Sequence, residues 1–149
     1  MLDPNDKDND LWPPLDDVET MRTPLHILRE VASTLAPKTH NLIEAVVTSQ
    51  QMNNSGLGNS FRQTLVLRAP LLANYTYNLL SLQHDIELWP AKVVTPNQSH
   101  TSTTGDVRNE EQLRARLAEV FHHPQTVKVL RSMLAQSKSA QPRITLTQP

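Results

Sequence analysis

The chain has 149 residues, of which 38% are hydrophobic and 19% charged, and this length suits a single domain. It contains no cysteine, which excludes a disulfide framework, a thiolate zinc site and a cysteine nucleophile. Only three glycines are present, and neither a phosphate-binding loop nor a G-x-S-x-G motif occurs, so nucleotide-dependent or serine-hydrolase chemistry is not indicated.

The net charge of −1 conceals an uneven distribution. Residues 1–20 carry seven acidic side chains against Lys7 alone, a net charge of −6, whereas the other 129 residues carry +5. High charge and three prolines predict that residues 1–20 form a disordered acidic tail. This start is not a secretory signal, and no apolar run approaches the roughly 20 residues of a membrane span. We therefore expect a cytoplasmic protein without a membrane span.

An apolar group interrupts the acidic tail: Leu11, Trp12, Leu15 and Val18. These four side chains would form one face of a short helix, and such segments commonly bind a groove on another protein. The alternative is that they fold back onto this domain, with Trp12 packed over the first helix.

We predict an all-α fold: a small bundle of four to five helices. The first, at 24–36, begins with Thr23 as N-cap before Pro24 and continues with apolar residues at spacings of three and four. The second, at 39–53, rests on a stripe of apolar residues and ends at the Asn- and Gly-rich turn 53–59. The third, at 61–89, is kinked at Pro70. The apolar residues of its stripe are Leu72, Tyr75, Leu79, Leu82 and Ile86.

Residues 21–89 would thus form the helical bundle core, and the polar residues 90–108 a flexible linker. A C-terminal helical hairpin follows at 109–138, with helices at 110–122 and 125–137, and residues 139–149 form a second tail. Asn109 is the predicted N-cap of the first of these helices. The predicted core residues are Leu28, Val31, Leu35, Ile43, Val46, Val47, Leu65, Leu72, Leu79, Leu82, Ile86, Leu117, Val120, Leu130 and Leu134.

The six histidines do not predict a metal site, because no two have the i, i+4 spacing that places two imidazoles on one helix face. His122 and His123 follow a predicted helix, where a partial positive charge is favourable. The acidic pairs Asp16–Asp17 and Glu110–Glu111 are best explained as solvated side chains. We predict no catalytic residue, no metal site and no cofactor.

The predicted hairpin carries a net charge of +3 between Arg108 and Lys138, and its second helix begins with Gln and Thr, as a DNA-recognition helix often does. A hairpin with an ordinary solvated basic face explains the same pattern, because dedicated DNA-binding proteins are usually more basic. The candidate nucleic-acid contacts are Arg114, Arg116, Gln125, Thr126, Lys128 and Arg131.

The functional prediction is a non-enzymatic protein-protein interaction module: an adaptor, a chaperone-like protein or a regulatory subunit. Its partner would be another protein or a second copy of the chain in a homo-oligomer, bound through the apolar group of the tail. The alternative is a nucleic-acid-binding regulator that uses the helix-turn-helix-like pair at 108–138, with the acidic tail shielding the basic hairpin in the same chain.

Overall fold

The protein is built on a five-stranded antiparallel sheet in which the strands lie in sequence order. The computed structural model describes residues 11–54, 58–96 and 106–141. The strands are β1 (Glu44–Asn54), β2 (Gly58–Ala69), β3 (Tyr75–His84), β4 (Ala91–Val94) and β5 (Asp106–Val107). The prediction of an all-α helical bundle is therefore wrong, and the architecture is mixed α/β.

Helices cover one face of this sheet. They are α1 (Pro24–Ala32), α2 (Leu35–Lys38), α3 (Glu110–Phe121) and α4 (Pro124–Ala140), with short 3-10 turns at Asp16–Thr20 and Pro70–Leu72. The predicted helices at 24–36, 110–122 and 125–137 are confirmed, apart from the break between α1 and α2. Their predicted caps also form: Thr23 Oγ1 accepts the His26 N–H at 3.0 Å, and Asn109 Oδ1 accepts the Gln112 N–H at 2.8 Å.

The predicted helices at 39–53 and 61–89 are wrong, because these residues form β1, β2 and β3. In β2 the buried residues alternate with half-exposed ones, as Leu65, Leu67 and Ala69 show. Alternation of this kind places one set of side chains against the helices and the other on the opposite face. The segment 21–89 is therefore a helix followed by a β-meander, not a helical bundle core.

A bulge in β3 changes which side chains face the helices. Leu65 of β2 pairs with Leu80 and Val66 pairs with Asn78, so Leu79 is an extra residue in β3. Tyr77 before the bulge and Leu80 after it both pack towards the helices, although their positions differ by an odd number. This change of phase produces spacings of three and four that resemble a helical stripe.

Two strands lie within the predicted flexible linker 90–108. Strand β4 pairs with the end of β3, and β5 pairs with β4 through Ala91 and Val107. The linker prediction is therefore wrong for these residues, while residues 97–105 lie outside the described part of the chain. Residues 1–10 of the predicted tail 1–20 and residues 142–149 of the predicted tail 139–149 also lie outside it. No helix in the described ranges is long and apolar enough to cross a membrane.

The hydrophobic core lies between the sheet and the helices and includes residues from α1, the sheet and α3. Ile27, Leu65, Leu82, Leu113 and Leu117 are all fully or almost fully buried there.

Most predicted core residues belong to this core or pack against it. The exceptions are Val46, which is half-buried on the opposite face of the sheet, and Ile86, which is 75% exposed in the loop after β3. Both were assigned to the core from a helical period that these segments do not have.

Candidate functional site

An apolar cavity of about 390 Å³ opens between the α1–α2 segment and α4. Its walls are Val31 and Leu35 on one side and Leu130 and Leu134 on the other, and all four side chains are only partly buried. The sheet provides the floor, with lining residues Ile43, Ala45, Leu65, Leu67 and Leu79. We call this site the α1–α4 cavity. Its volume lies in the range of roughly 300–1,000 Å³ that is usual for ligand sites.

The rim of the α1–α4 cavity is basic. Lys38 at the end of α2 and Arg131 of α4 both line it and are both exposed, and His122 lies beside them. None of the described residues that line the cavity is acidic. An apolar floor beneath two unopposed positive charges favours a ligand that is apolar in its centre and anionic at its edge.

Thr39 fixes the end of α2 against the start of the sheet, and so positions Lys38 at the rim. Its side chain is 8% exposed, and its hydroxyl accepts a hydrogen bond from the Ile43 N–H at 3.1 Å. The same hydroxyl lies 3.1 Å from the Leu35 carbonyl oxygen and 3.0 Å from that of Ile43. Because a buried hydroxyl needs such partners, these contacts hold the two segments together.

An ion cluster joins α1 to α3 on the side of α1 away from the cavity. Arg22 and Arg114 each contact both Glu30 and Glu110, at 2.8–3.2 Å. Hydrogen bonds from Arg22 and then from Arg114 lower the pKa of Glu110 to about 2, and the same two partners lower the pKa of Glu30. We call these four residues the ion cluster. They connect α1 to α3 and cover the surface between the two helices.

The structure does not bring the six candidate nucleic-acid contacts together. Arg114 belongs to the ion cluster, and Arg116 lies 3.4 Å from Glu119 of its own helix. Thr126 is 4% exposed, so its side chain is not available at the surface of α4. A helix that reads bases needs these side chains exposed on one face, which is not the arrangement here.

The remaining candidates lie on different sides of α4. Gln125 and Lys128 line a groove of about 440 Å³ with both polar and apolar walls, beside Tyr75 and Tyr77, whereas Arg131 lies at the rim of the α1–α4 cavity. Among the described residues of this groove, polar side chains predominate on the α4 side. The lining of the α1–α4 cavity is more strongly apolar than that of the groove, and for that reason we take the cavity as the candidate site.

The four apolar side chains predicted to bind a partner are all exposed. The exposed fractions are 87% for Leu11, 78% for Trp12, 61% for Leu15 and 51% for Val18. The alternative of Trp12 packing over the first helix is not the arrangement observed. Instead of the predicted short helix, the segment contains the 3-10 turn Asp16–Thr20.

His122 lies at the C-terminal end of α3, as predicted, whereas His123 caps the start of α4 instead of the end of α3. His122 Nδ1 lies 2.9 Å from the Ala118 carbonyl oxygen, and His123 Nδ1 accepts the Gln125 N–H at 3.1 Å as the N-cap of α4. Within residues 11–54, 58–96 and 106–141, no three histidine or acidic side chains cluster in a way that would hold a metal ion.

Sequence reasoning missed Lys38 and His122 as parts of a site and assigned Arg131 to a different one. The signal in the sequence was that leucines at the edges of the apolar stripes predicted for α1 and α4 lie close to basic residues. Comparison with models of protein families, with curated proteins and with solved structures finds no match for this chain.

Proposed function

We propose that this protein is a non-enzymatic protein-binding module whose α1–α4 cavity receives apolar side chains from an acidic segment of a partner. The observation that carries the proposal is an apolar cavity of about 390 Å³ with two exposed basic residues, Lys38 and Arg131, at its rim. The chemistry of the lining residues supports this class of ligand.

We infer the apolar part of the ligand from the side chains of the cavity walls, which are only partly buried. Val31, Leu35, Leu130 and Leu134 pack against the core but keep part of their surface in the opening. Removing that surface from water is favourable by roughly 25 cal/mol per Å². Aliphatic or aromatic anchors of a partner would therefore contribute most of the binding energy, as they do in other helix- and strand-lined grooves.

The acidic part of the ligand follows from the rim. Lys38 and Arg131 flank the opening, and no acidic lining residue among those described neutralises them. Exposed charges of this kind speed the encounter with an oppositely charged partner and select against basic ones. The preference would weaken as salt is added, because both groups lie in solvent.

The polar groups of the cavity support a binding function better than a catalytic one. The hydroxyl of Thr39 is engaged with the backbone, and one ring nitrogen of His122 lies against the Ala118 carbonyl oxygen. A nucleophile in hydrogen-bond contact with a base is the usual arrangement for acyl or phosphoryl transfer. The described contacts of these two side chains are structural instead.

The test is a binding experiment with the full chain and labelled twelve-residue peptides, followed by fluorescence anisotropy. One peptide carries Trp and Leu anchors among aspartates, a second has lysines in place of the aspartates, and a third has serines in place of the anchors. We expect binding of the first peptide only. Ala45→Phe, which fills the cavity from its floor, should abolish binding.

Charge-reversal variants test the contribution of the basic rim, and a substitution on α4 outside the rim is their matched control. Lys38→Glu with Arg131→Glu should weaken binding of the acidic peptide roughly five- to tenfold, the effect of two rim ion pairs at about 0.5–0.7 kcal/mol each. Lys128→Glu, on α4 like Arg131 but in the neighbouring groove, should leave the binding unchanged. Equal binding of all three peptides, or binding insensitive to Ala45→Phe, would refute the proposal.

A further inference from the structure

We propose that the ligand of the α1–α4 cavity is the segment Leu11–Thr20 of a second copy of this chain, exchanged between the two molecules. We call this stretch the acidic segment. The inference rests on the proposed function, which it deepens by naming the partner.

The acidic segment carries the anchors that the cavity requires. Leu11, Trp12, Leu15 and Val18 are each at least half exposed. Four large apolar side chains within eight residues form a patch of the kind that usually marks a contact surface. The α1–α4 cavity is likewise lined mainly by apolar side chains, so the two features match in polarity.

The charges of the two surfaces are also complementary. Between its anchors and after them, the acidic segment carries Asp16, Asp17 and Glu19 and no basic residue. The rim carries Lys38 and Arg131 and no acidic residue among the described lining. With the anchors in the cavity, the carboxylates would lie over the basic rim, where opposite charges attract.

The geometry around α1 favours a second molecule over the same one. Arg22 is held in the ion cluster, on the side of α1 that faces α3. The cavity opens on the other side, towards α4, near the end of α1 at Val31. Within one chain the segment would have to cross α1 or release Arg22, whereas the segment of a second copy approaches from solvent. Reciprocal exchange makes the same contact twice, as a two-fold symmetric dimer does.

The test uses full-length chains and a charge exchange. One variant carries Asp16→Lys and Asp17→Lys, so that a basic segment meets a basic rim. The other carries Lys38→Glu and Arg131→Glu, so that an acidic segment meets an acidic rim. All four positions are exposed, and both variants should fold normally. The mass in solution is measured by light scattering at rising protein concentration, for each variant alone and for the mixture.

We expect the mass of the unmodified chain to rise from 16.8 kDa towards twice that value. Each variant alone should associate roughly 25- to 100-fold more weakly, because the exchange forms two contacts and each is weakened roughly five- to tenfold. The equimolar mixture should associate again, because both contacts between unlike molecules then join opposite charges. Trp12→Ser with Leu15→Ser should also abolish association, whereas Ile86→Ser, which removes an exposed apolar side chain elsewhere, should not.

Emission from Trp12, in a chain with Trp89→Phe, reports where the anchor lies. It should shift to shorter wavelength as association proceeds. A monomer at every concentration, a blue shift already present in the monomer, or association unaffected by the charge variants would each overturn the exchange between copies. The peptide experiment separates the two proposals: if acidic peptides still enter the cavity, only the identity of the partner is wrong.

Discussion

Helix α1 meets the rest of the protein differently on its two sides. Towards α3 its core residue Ile27 is completely buried, together with Leu113, and the ion cluster spans the surface above them. Towards α4 its residue Val31 borders the α1–α4 cavity and is only partly buried. We refer to these as the closed side and the open side of α1.

The comparison shows how one short helix serves both the fold and the proposed binding. The closed side is packed and capped by ion pairs, so it can hold α1 in place without help from the open side. Protein interiors are densely packed. An apolar opening beside a packed interface therefore indicates a contact surface for a partner. Four changes would break or sharpen this contrast.

The largest effect should come from the closed side. Leu117 is 1% exposed, and replacing it with alanine leaves a cavity that the surrounding side chains cannot fill. Leu117→Ala should lower the free energy of unfolding by about 2–5 kcal/mol, measured by urea denaturation. Ile86→Ala, at an exposed position, should change it by less than about 0.5 kcal/mol. A small effect of Leu117→Ala would mean that the closed side is not packed as described.

The same substitution on the open side should cost less. Leu134 is partly buried and already borders an opening, so its removal enlarges existing space and loses only part of a side chain's burial. Leu134→Ala should lower the free energy of unfolding by about 1 kcal/mol, less than the about 2–5 kcal/mol expected for Leu117→Ala. If both leucines proved equally costly, the two sides of α1 would not differ in packing.

The next largest effect should come from low pH, which weakens the ion cluster on the closed side. The pKa of Glu110 in the folded protein is about 2, below its usual 4.5, and that of Glu30 is also lowered. Groups with lowered pKa values stabilise the fold in full above about pH 4.5, and this contribution is lost as the pH falls towards 2. The melting temperature should therefore fall more over this range than in a Glu30→Gln, Glu110→Gln variant. Parallel curves for the two proteins would contradict the ion cluster.

The smallest effect on stability should come from filling the opening. Ala45→Phe places an aromatic ring in the α1–α4 cavity, where there is space for it, and the free energy of unfolding should change by less than about 1 kcal/mol. Ala69→Phe is the matched control, because Ala69 is completely buried in the adjacent strand and has no such space. It should cost about 1–3 kcal/mol or more. Similar losses of unfolding free energy for both variants would show that the cavity has no space for an aromatic ring.

The helices were predictable because their end signals are local. Thr23, Asn109 and Pro124 mark the starts of α1, α3 and α4, and each acts within one turn of the chain. Such signals do not depend on what the helix packs against. For this reason the predicted starts agree with the structure to within one residue.

The strands were missed because their apolar residues imitate a helical period. In β1 both Val46 and Val47 are half-buried, one on each face of the sheet, so apolar residues recur as they would on a helix stripe. In β3 the extra residue Leu79 shifts the alternation, which creates the spacings of three and four between Tyr75, Leu79 and Leu82. The β-branched run Val46–Thr48 before the Asn- and Gly-rich turn was the signal for a hairpin.

The candidate site was only partly predictable. The exposed anchors of the acidic segment could be recognised because a tryptophan among aspartates is conspicuous in sequence alone. The cavity could not, since it depends on how far α4 lies from α1 across the sheet. Arg131 shows the difference: its charge is evident from sequence, but the apolar opening beside it exists only after the sheet has formed.

The extra residue in β3 makes the length of that strand as important as its composition. Deleting Leu79 itself would leave a regular strand in which Tyr77 and Leu80 keep their partners in β2 and still face the helices. Deleting or inserting a residue elsewhere in the strand would instead turn the side chains on one side of the change to the opposite face of the sheet. Strand β3 should therefore tolerate replacement of its residues more readily than a gain or loss of residues outside the bulge.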